Sequence, residues 1–274
     1  MTMMTRLEKQ ERLRSIRCFV LDMDGTIYLG NRLFPYTPDF LRTVTASGRD
    51  YCYFTNNSSK NAQAYLEKLS AMGIPVPPEK MLVSNGVLLR WLGQNRPGIS
   101  VYVVGTPALE ADFRRAGVPF NDQNPDAVVL GFDTTLTYEK LEKACRFIRQ
   151  GSAFYGVNPD WNCPTENGFL PDCGSIAALI TASTGVSPEF FGKPSRHTLE
   201  YLLAETGCRE EELAIVGDRL YTDIQTAQGT GVTSILVFSG ETQPEDLKTS
   251  AVQPDLTCQD LGELASLLKG LPPL

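Results

Sequence analysis

Only one histidine, His197, occurs in the 274 residues, and no partner motif accompanies it, so a Ser-His-Asp relay has little to be built from. Basic residues are also in deficit. Lys and Arg number 25 against 32 Asp and Glu, and the formal net charge of -7 excludes the broad basic face that a nucleic-acid backbone requires. Nowhere do 18 apolar residues run together, and Met1 to Arg12 holds no apolar stretch of signal-peptide length. The expectation is a soluble, cytoplasmic protein with no membrane partner. Seven cysteines include no Cys-x-x-Cys pair, and Cys18, Cys52 and Cys145 fall inside apolar patterns, as buried thiols do. Cys163 and Cys173 lie in a loop-like region; a disulfide or a metal site there is the minor alternative, because zinc would need companions that the sequence does not supply.

What is present points to an α/β protein. With 42% hydrophobic and 21% charged residues the chain can bury ordinary cores, and its length suits two domains. The informative stretch is Cys18-Phe-Val-Leu-Asp22-Met-Asp24-Gly25-Thr26. Its apolar half reads as a buried parallel strand, and ligands of open α/β sheets bind just beyond the carboxyl ends of such strands. Two carboxylates two residues apart repel unless a cation or a shared proton relieves them. The residues alone thus leave open a metal site, a nucleophile, or a polar turn after a core strand.

Further strands end in the same manner. Tyr51 to Phe54 is a short apolar run that stops at Thr55-Asn56-Asn57-Ser58-Ser59, and Ala62, Tyr65, Leu66 and Leu69 follow at helical spacing. Asn57 or Ser58 could cap that helix, and its N-terminal amides could also hold an anion. Leu213 to Val216 ends at Gly217-Asp218, with Asp223 five residues beyond. Asp22 and Thr55 are 33 residues apart, room for one helical crossover, whereas Thr55 and Lys193 are 138 apart. An insertion must occupy the second gap. Turn-rich Arg96-Pro97-Gly98 and Gly185-Val-Ser-Pro188 set its bounds, giving a core of 1–97 and 188–274 and an insertion of 98–187. Inside it, strands at Ser100–Val104 and Asp126–Leu130 alternate with helices over Pro107–Ala116 and around Leu141 to Ile148, so the insertion reads as a small α/β domain. Ser175 reads as the cap of a helix that runs through Ile180.

Taken in order, Asp22-x-Asp24-Gly25-Thr26, Thr55-Asn56, Lys193-Pro194 and Gly217-Asp218-x-x-x-x-Asp223 resemble the four motifs of the haloacid dehalogenase superfamily of aspartate-dependent phosphatases. The extension Ile27-Tyr28-Leu29-Gly30 is similar to the NagD-like, or p-nitrophenyl phosphatase, branch. The resemblance implies a doubly wound, Rossmann-like parallel-sheet core with the insertion as an α/β cap between the second and third motifs. It implies Asp22 as nucleophile, Asp24 as general acid and base, and Lys193 as the cation offsetting charge around the phosphate. Thr55, Asn56 and Asn57 would bind phosphate together with Lys193. Mg²⁺ would be held by Asp22, the backbone carbonyl of Asp24, and Asp218, with Asp223 in support. Asn158, Gly174 and Ser175 would meet the substrate from the cap, and exchanges at Asn158, Asp160, Asp172 or Ser175 would re-rank substrates. The expected function is Mg-dependent hydrolysis of small phosphorylated metabolites through an aspartyl-phosphate, with a homodimer admitted as an assembly. Asp24 argues against a dehalogenase, which lacks an acid there. A phosphomutase or other phosphotransferase, or a non-catalytic phosphate-responsive module, are the competing readings.

Overall fold

The computed structural model describes residues 4–165 and 168–274. In chain order the elements are α1 (Arg6–Leu13), β1 (Cys18–Leu21), β2 (Tyr28–Leu29), β3 (Arg32–Leu33), α2 (Thr37–Ala46), β4 (Asp50–Thr55), α3 (Ala62–Ala71), β5 (Met81–Val83) and α4 (Ser84–Asn95). There follow β6 (Val101–Val104), α5 (Pro107–Arg115), β7 (Ala127–Leu130), α6 (Tyr138–Arg149), β8 (Ala153–Gly156), β9 (Asn162–Thr165), β10 (Gly168–Pro171), α7 (Cys173–Thr184) and β11 (Glu189–Phe190). The chain closes with α8 (Arg196–Thr206), β12 (Leu213–Gly217), α9 (Gln225–Ala227), β13 (Thr233–Val237), β14 (Leu256–Cys258) and α10 (Leu261–Leu268). It divides into two compact units. One comprises Met1–Phe54, Lys68–Met81 and Leu199–Leu274; the other comprises Thr55–Glu67 and Leu82–Thr198.

The first unit is organised by a six-stranded sheet ordered β14-β13-β12-β1-β4-β5. Strand β1 runs parallel to both β12 and β4, so the order reverses beside β1 and leaves a crevice at its carboxyl end. Phe19, Val20 and Leu21 are at most 1% exposed, as a central strand covered on both faces demands, and Phe19 meets Phe40 of α2 edge-to-face at 5.9 Å. Register fixes the site: Leu21 pairs with Val216, and the Asp22 N–H donates to the Val216 carbonyl at 2.8 Å, which carries Asp22 alongside the end of β12. The edge strand β14 is guarded by α1, whose Lys9 donates from Nζ to the Thr257 carbonyl at 2.6 Å.

A four-stranded parallel sheet ordered β11-β8-β7-β6 forms the second unit's frame. Its core gathers Val128, Leu130, Phe147, Ile148, Phe154 and Ile180. Ala144, Cys145 and Ile148 are buried as the helical spacing predicts, and α5 and α6 are capped by Thr106 and Thr137. The compact unit is larger than the 98–187 segment read as an insertion, because it also takes in 55–67, 82–97 and 188–198. Polar ties explain this reach. Ser84 Oγ donates to the Asn56 carbonyl at 2.8 Å and Thr106 Oγ1 to the Ser59 carbonyl at 2.9 Å.

Two expected caps fall elsewhere. Asp172, not Ser175, sits at the N-cap of α7, and its side chain accepts from the Cys173 N–H, while Ser175 Oγ donates to the Trp161 carbonyl at 2.6 Å. At α3 it is Asn61 Oδ1 that accepts from Ala64, because Asn57 and Ser58 are engaged within the preceding loop and beyond it. All seven cysteines are free thiols; Cys173 is fully buried against the Leu130 carbonyl. Among the described residues no helix is long and apolar enough to cross a membrane.

Candidate active site

Asp22 follows β1 directly and Asp218 follows β12 directly. Asp223 comes back to them on the π-helical turn Leu220–Ile224, its Oδ2 accepting from the Arg219 N–H at 3.2 Å. Ligand oxygens of Asp22, Asp218 and Asp223 all lie within 4.8 Å of one another, the only such acidic cluster among the described residues. Asp218 and Asp223 are buried and Asp22 is half-buried. The backbone makes room by omission. A Cβ on Gly217 would overlap the Asp223 carboxyl, and one on Gly25, which stands at φ +86°, would fall 2.7 Å from Asp218 Cγ. Only glycine tolerates both that backbone region and that approach.

Charge decides what the cluster can do. Burial, followed by the charges of Asp22 and Asp223, pushes the Asp218 carboxyl well above the usual carboxylate range, with Arg219 offsetting part of the effect. Asp218 Oδ2 accepts from the Glu241 N–H at 2.7 Å, yet Oδ1 is buried without a hydrogen-bond partner. A buried carboxylate oxygen without a partner, on a residue clustered with two further carboxylates, costs free energy that a hard cation recovers. The oxygen-only donor set is the kind that suits Mg²⁺. The Asp24 carboxyl is outside the cluster. Its residue bridges to Tyr28, and burial raises its pKa, with Lys68, the Gly30 amide and Arg219 pulling the other way.

In the second unit the expected phosphate-binding residues fall into two hydrogen-bonded groups, Asn56 with Lys193 and Thr55 with Asn57. The Asn56 side chain grips the Lys193 backbone twice, Oδ1 accepting from N–H at 2.8 Å and Nδ2 donating to the carbonyl at 2.9 Å. The same Nδ2 donates to Asp160 Oδ1 at 3.1 Å. Thr55 Oγ1 accepts from the Asn57 N–H, and Asn57 Oδ1 accepts from the Ser59 N–H and hydroxyl. Asn158 is fully buried, taking the Ser58 hydroxyl at 2.8 Å on Oδ1 and donating from Nδ2 to Asp172 at 3.1 Å. Gly174 serves by lacking a side chain: its N–H donates to the Asp160 carbonyl at 2.8 Å, and a Cβ there would overlap the Pro159 carbonyl.

Reasoning from the sequence passed over several contributors. Glu241 supplies a backbone N–H to Asp218, and Ser239 Oγ donates to the Gly25 carbonyl at 2.7 Å. Their signal was the strand end after Val237 followed by a glycine, since Gly240 also packs its backbone against the Asp218 carboxylate. Ser58, 0% exposed, joins the Asn158 side chain to the Phe132 N–H, and its role was legible only as a cap.

An α/β sheet whose switch point carries clustered aspartates belongs to the class of proteins that handle anionic, oxygen-rich ligands with the help of a divalent cation. Comparison with known proteins narrows the class. Profiles described as haloacid dehalogenase-like hydrolase and HAD-hydrolase-like match residues 19–119 and 190–264. The acid sugar phosphatase of Staphylococcus aureus strain MRSA252 is 35% identical over 258 residues, 94% of this chain and 100% of that protein. A 4-nitrophenylphosphatase from Thermotoga maritima superposes with a TM-score of 0.90 at 42% identity, covering 93% and 98% of the two chains. A Mycobacterium tuberculosis glycerol phosphate phosphatase, solved in complex with calcium, has a TM-score of 0.84 at 29% identity, covering 92% of this chain and 76% of that one. The chain belongs to the haloacid dehalogenase-like hydrolases, in their NagD-like phosphatase branch.

Proposed function

We propose that this phosphatase hydrolyses small phosphate monoesters, sugar phosphates among them, through an aspartyl-phosphate on Asp22, with Mg²⁺ as the resident cation. The observation that carries the reading is the carboxylate cluster of Asp22, Asp218 and Asp223 with its orphaned Asp218 oxygen. Asp22, the Asp24 carbonyl and Asp218 would hold the ion, and Asp223 would keep the Arg219 turn in place. When bound, the cation supplies positive charge against the phosphate oxygens. That sugar and glycerol phosphates are named for two of the relatives supports the substrate class.

The chain's own groups then do the following. A carboxylate oxygen of Asp22 attacks phosphorus as the ester P–O bond breaks, and Asp24 gives its proton to the departing alkoxide. Asp24, now a carboxylate, takes a proton from water as that water attacks phosphorus, the bond to Asp22 breaks, and inorganic phosphate leaves. Thr55, Asn56, Asn57 and Lys193 are assigned to the phosphate, Lys193 by charge and the others by hydrogen bonds. The core segments 1–97 and 188–274 keep the chemistry, and the 98–187 segment acts as the cap that selects substrates, with Gly174 and Ser175 near the head of α7 and Asn158 assigned to that role. Turnover of p-nitrophenyl phosphate with Mg²⁺, followed by mass spectrometry of acid-quenched reactions, tests the scheme. A phosphoryl adduct on the peptide carrying Asp22 supports it; robust turnover with label on another residue rejects it, and transfer of phosphate to a second hydroxyl in place of water identifies a mutase.

A further inference from the structure

In the Asn158-Pro159-Asp160 loop, Asn158 and Asp160 are 0% and 7% exposed, and Asn158 Oδ1 and Nδ2 and Asp160 Oδ1 are hydrogen-bonded to side chains of the second unit. We propose that Asp160 is a positioning residue for the phosphate-binding groups, one that locks the Asn56 amide in the single orientation able to hold Lys193. The inference rests on the phosphate-binding roles assigned above to Asn56 and Lys193.

The lock follows from donor and acceptor chemistry. An asparagine amide has an oxygen and a nitrogen of nearly equal size, and only its partners decide which faces where. Lys193 presents one backbone donor and one backbone acceptor to it, at 2.8 and 2.9 Å. A carboxylate only accepts, so Asp160 Oδ1, 3.1 Å away, demands Nδ2 on its side. That choice leaves Oδ1 for the Lys193 N–H and the second Nδ2 hydrogen for the Lys193 carbonyl. The reversed amide would set oxygen against carboxylate and against carbonyl, and nitrogen against N–H, losing all three bonds at a buried site.

Asp160 is itself held so that it can impose this order. Its carbonyl takes the Gly174 N–H at 2.8 Å, the next carbonyl along, of Trp161, takes the Asp172 N–H at 2.9 Å and the Ser175 hydroxyl, and Asn158 is fixed between Ser58 and Asp172. Gly192 closes the bracket. Its N–H donates to the Val157 carbonyl at 2.7 Å, and a Cβ there would come within 2.8 Å of Asn56 Oδ1. The head of α7 and the loop after β8 thus brace one amide, and through it the backbone that carries the Lys193 ammonium.

The test is a double-mutant cycle in the full-length enzyme with p-nitrophenyl phosphate and Mg²⁺, using Asp160→Ala, Asn56→Ala and the double variant, with Asp160→Asn and Lys193→Ala alongside. Asp160→Ala is expected to lower kcat/KM by about 10- to 100-fold, the range for loss of a group that orients a site. Asp160→Asn, whose Oδ1 still accepts, should stay within about threefold of wild type. Because Asp160 acts through Asn56, the double variant should be no worse than Asn56→Ala alone, and hydrogen exchange at the Lys193 amide should quicken in Asp160→Ala without general loss of protection. Losses that multiply in the double variant, or an unchanged Asp160→Ala beside a crippled Asn56→Ala, overturn the inference. Full activity in both Lys193→Ala and Asn56→Ala removes the phosphate-binding reading itself, and the inference with it. Should Asp160→Ala fail to fold, Asp160→Ser, too short to reach the amide but still polar, takes its place in the cycle.

Discussion

Replacing Asp218 with asparagine should make the metal-free protein more stable while removing its response to Mg²⁺. The carboxylates of Asp22, Asp218 and Asp223 bring oxygens within 4.8 Å of one another. At an effective dielectric constant of about 20, two unit charges at that separation repel by ~3.5 kcal/mol, so neutralising Asp218 relieves two such interactions when all three are ionised. Proton uptake already softens the repulsion in the wild type, because the Asp218 carboxyl is pushed up. A net gain of about 1–3 kcal/mol is therefore expected. The amide fits: its oxygen can keep the bond from the Glu241 N–H, and its NH₂ can occupy the place of the unpartnered Oδ1, donating toward the acidic neighbours. For a chain of this size the gain corresponds to a Tm about 2–5 °C higher. Melting curves in excess chelator and across a Mg²⁺ titration read both effects. The wild type should gain about 2.7 kcal/mol at a hundredfold excess of Mg²⁺ over Kd, and Asp218→Asn little. A chelated variant that melts below wild type, or one whose Mg²⁺ response is intact, would show that the cluster is not held together against its own charge.

Further expectations concern single groups. Asp22→Asn should abolish phosphatase turnover, since an amide is a poor nucleophile; near wild-type rates in a chelator-washed, Mg²⁺-restored sample contradict the scheme. Gly25→Ala forces a side chain into φ +86° and onto the Asp218 carboxylate, so Mg²⁺ affinity, read by calorimetry, should fall about 10- to 100-fold. Ser175→Ala should re-order sugar and glycerol phosphates by kcat/KM more than it alters p-nitrophenyl phosphate, and equal proportional losses on all three would remove Ser175 from substrate choice. Hydrogen bonds from the Arg209 side chain and backbone hold the Glu212 carboxyl down to about 2. With the folded value below the unfolded one, its contribution is complete above the ordinary carboxylate range and disappears as pH falls toward 2. Glu212→Gln should accordingly lower stability at pH 7 and leave it unchanged in strong acid, and parallel pH curves for the two proteins would refute the assignment.

What could be read from the chain tracks how far a feature depends on residue type alone. The apolar runs before Asp22 and Asp218 became β1 and β12, because a buried parallel strand needs little more than four or five apolar residues in a row. Unequal spacing between motifs led to the expectation of an insertion, and the second unit carries a four-stranded sheet of its own over different bounds. Short pairings such as β2 with β3, two residues each, carry no periodicity and could not be foreseen. Caps were misjudged where several eligible side chains stood close together: Asp172 and Ser175 both suit an N-terminus, and the winner was set by the Trp161 carbonyl, which Ser175 satisfies instead. Backbone donors such as the Glu241 N–H were invisible, since any residue but proline offers one.

The glycines of the first unit suggest why the acidic residues were easy to find and their support was not. An aspartate announces its chemistry, but three aspartates can approach one another only where the surrounding backbone has no side chains to interpose. Gly25, Gly217 and Gly240 each stand where a Cβ would overlap the carboxyl of Asp218 or Asp223. Gly192 and Gly174 do the same for the Asn56 amide and the Asn158–Asp160 loop of the second unit. In both units, then, a polar group is held by backbone brought unusually near it, and the cost is a residue with the most conformational freedom to lose on folding. The same device serves apolar packing in the second unit, where a Cβ on Gly105 or Gly131 would overlap Leu109 and one on Gly156 would overlap Phe190. A sequence reading that treats glycine only as a turn former discards this signal; reading it as a request for close approach, next to a strand end bearing a carboxylate, would have pointed to Ser239-Gly240-Glu241 from the chain alone.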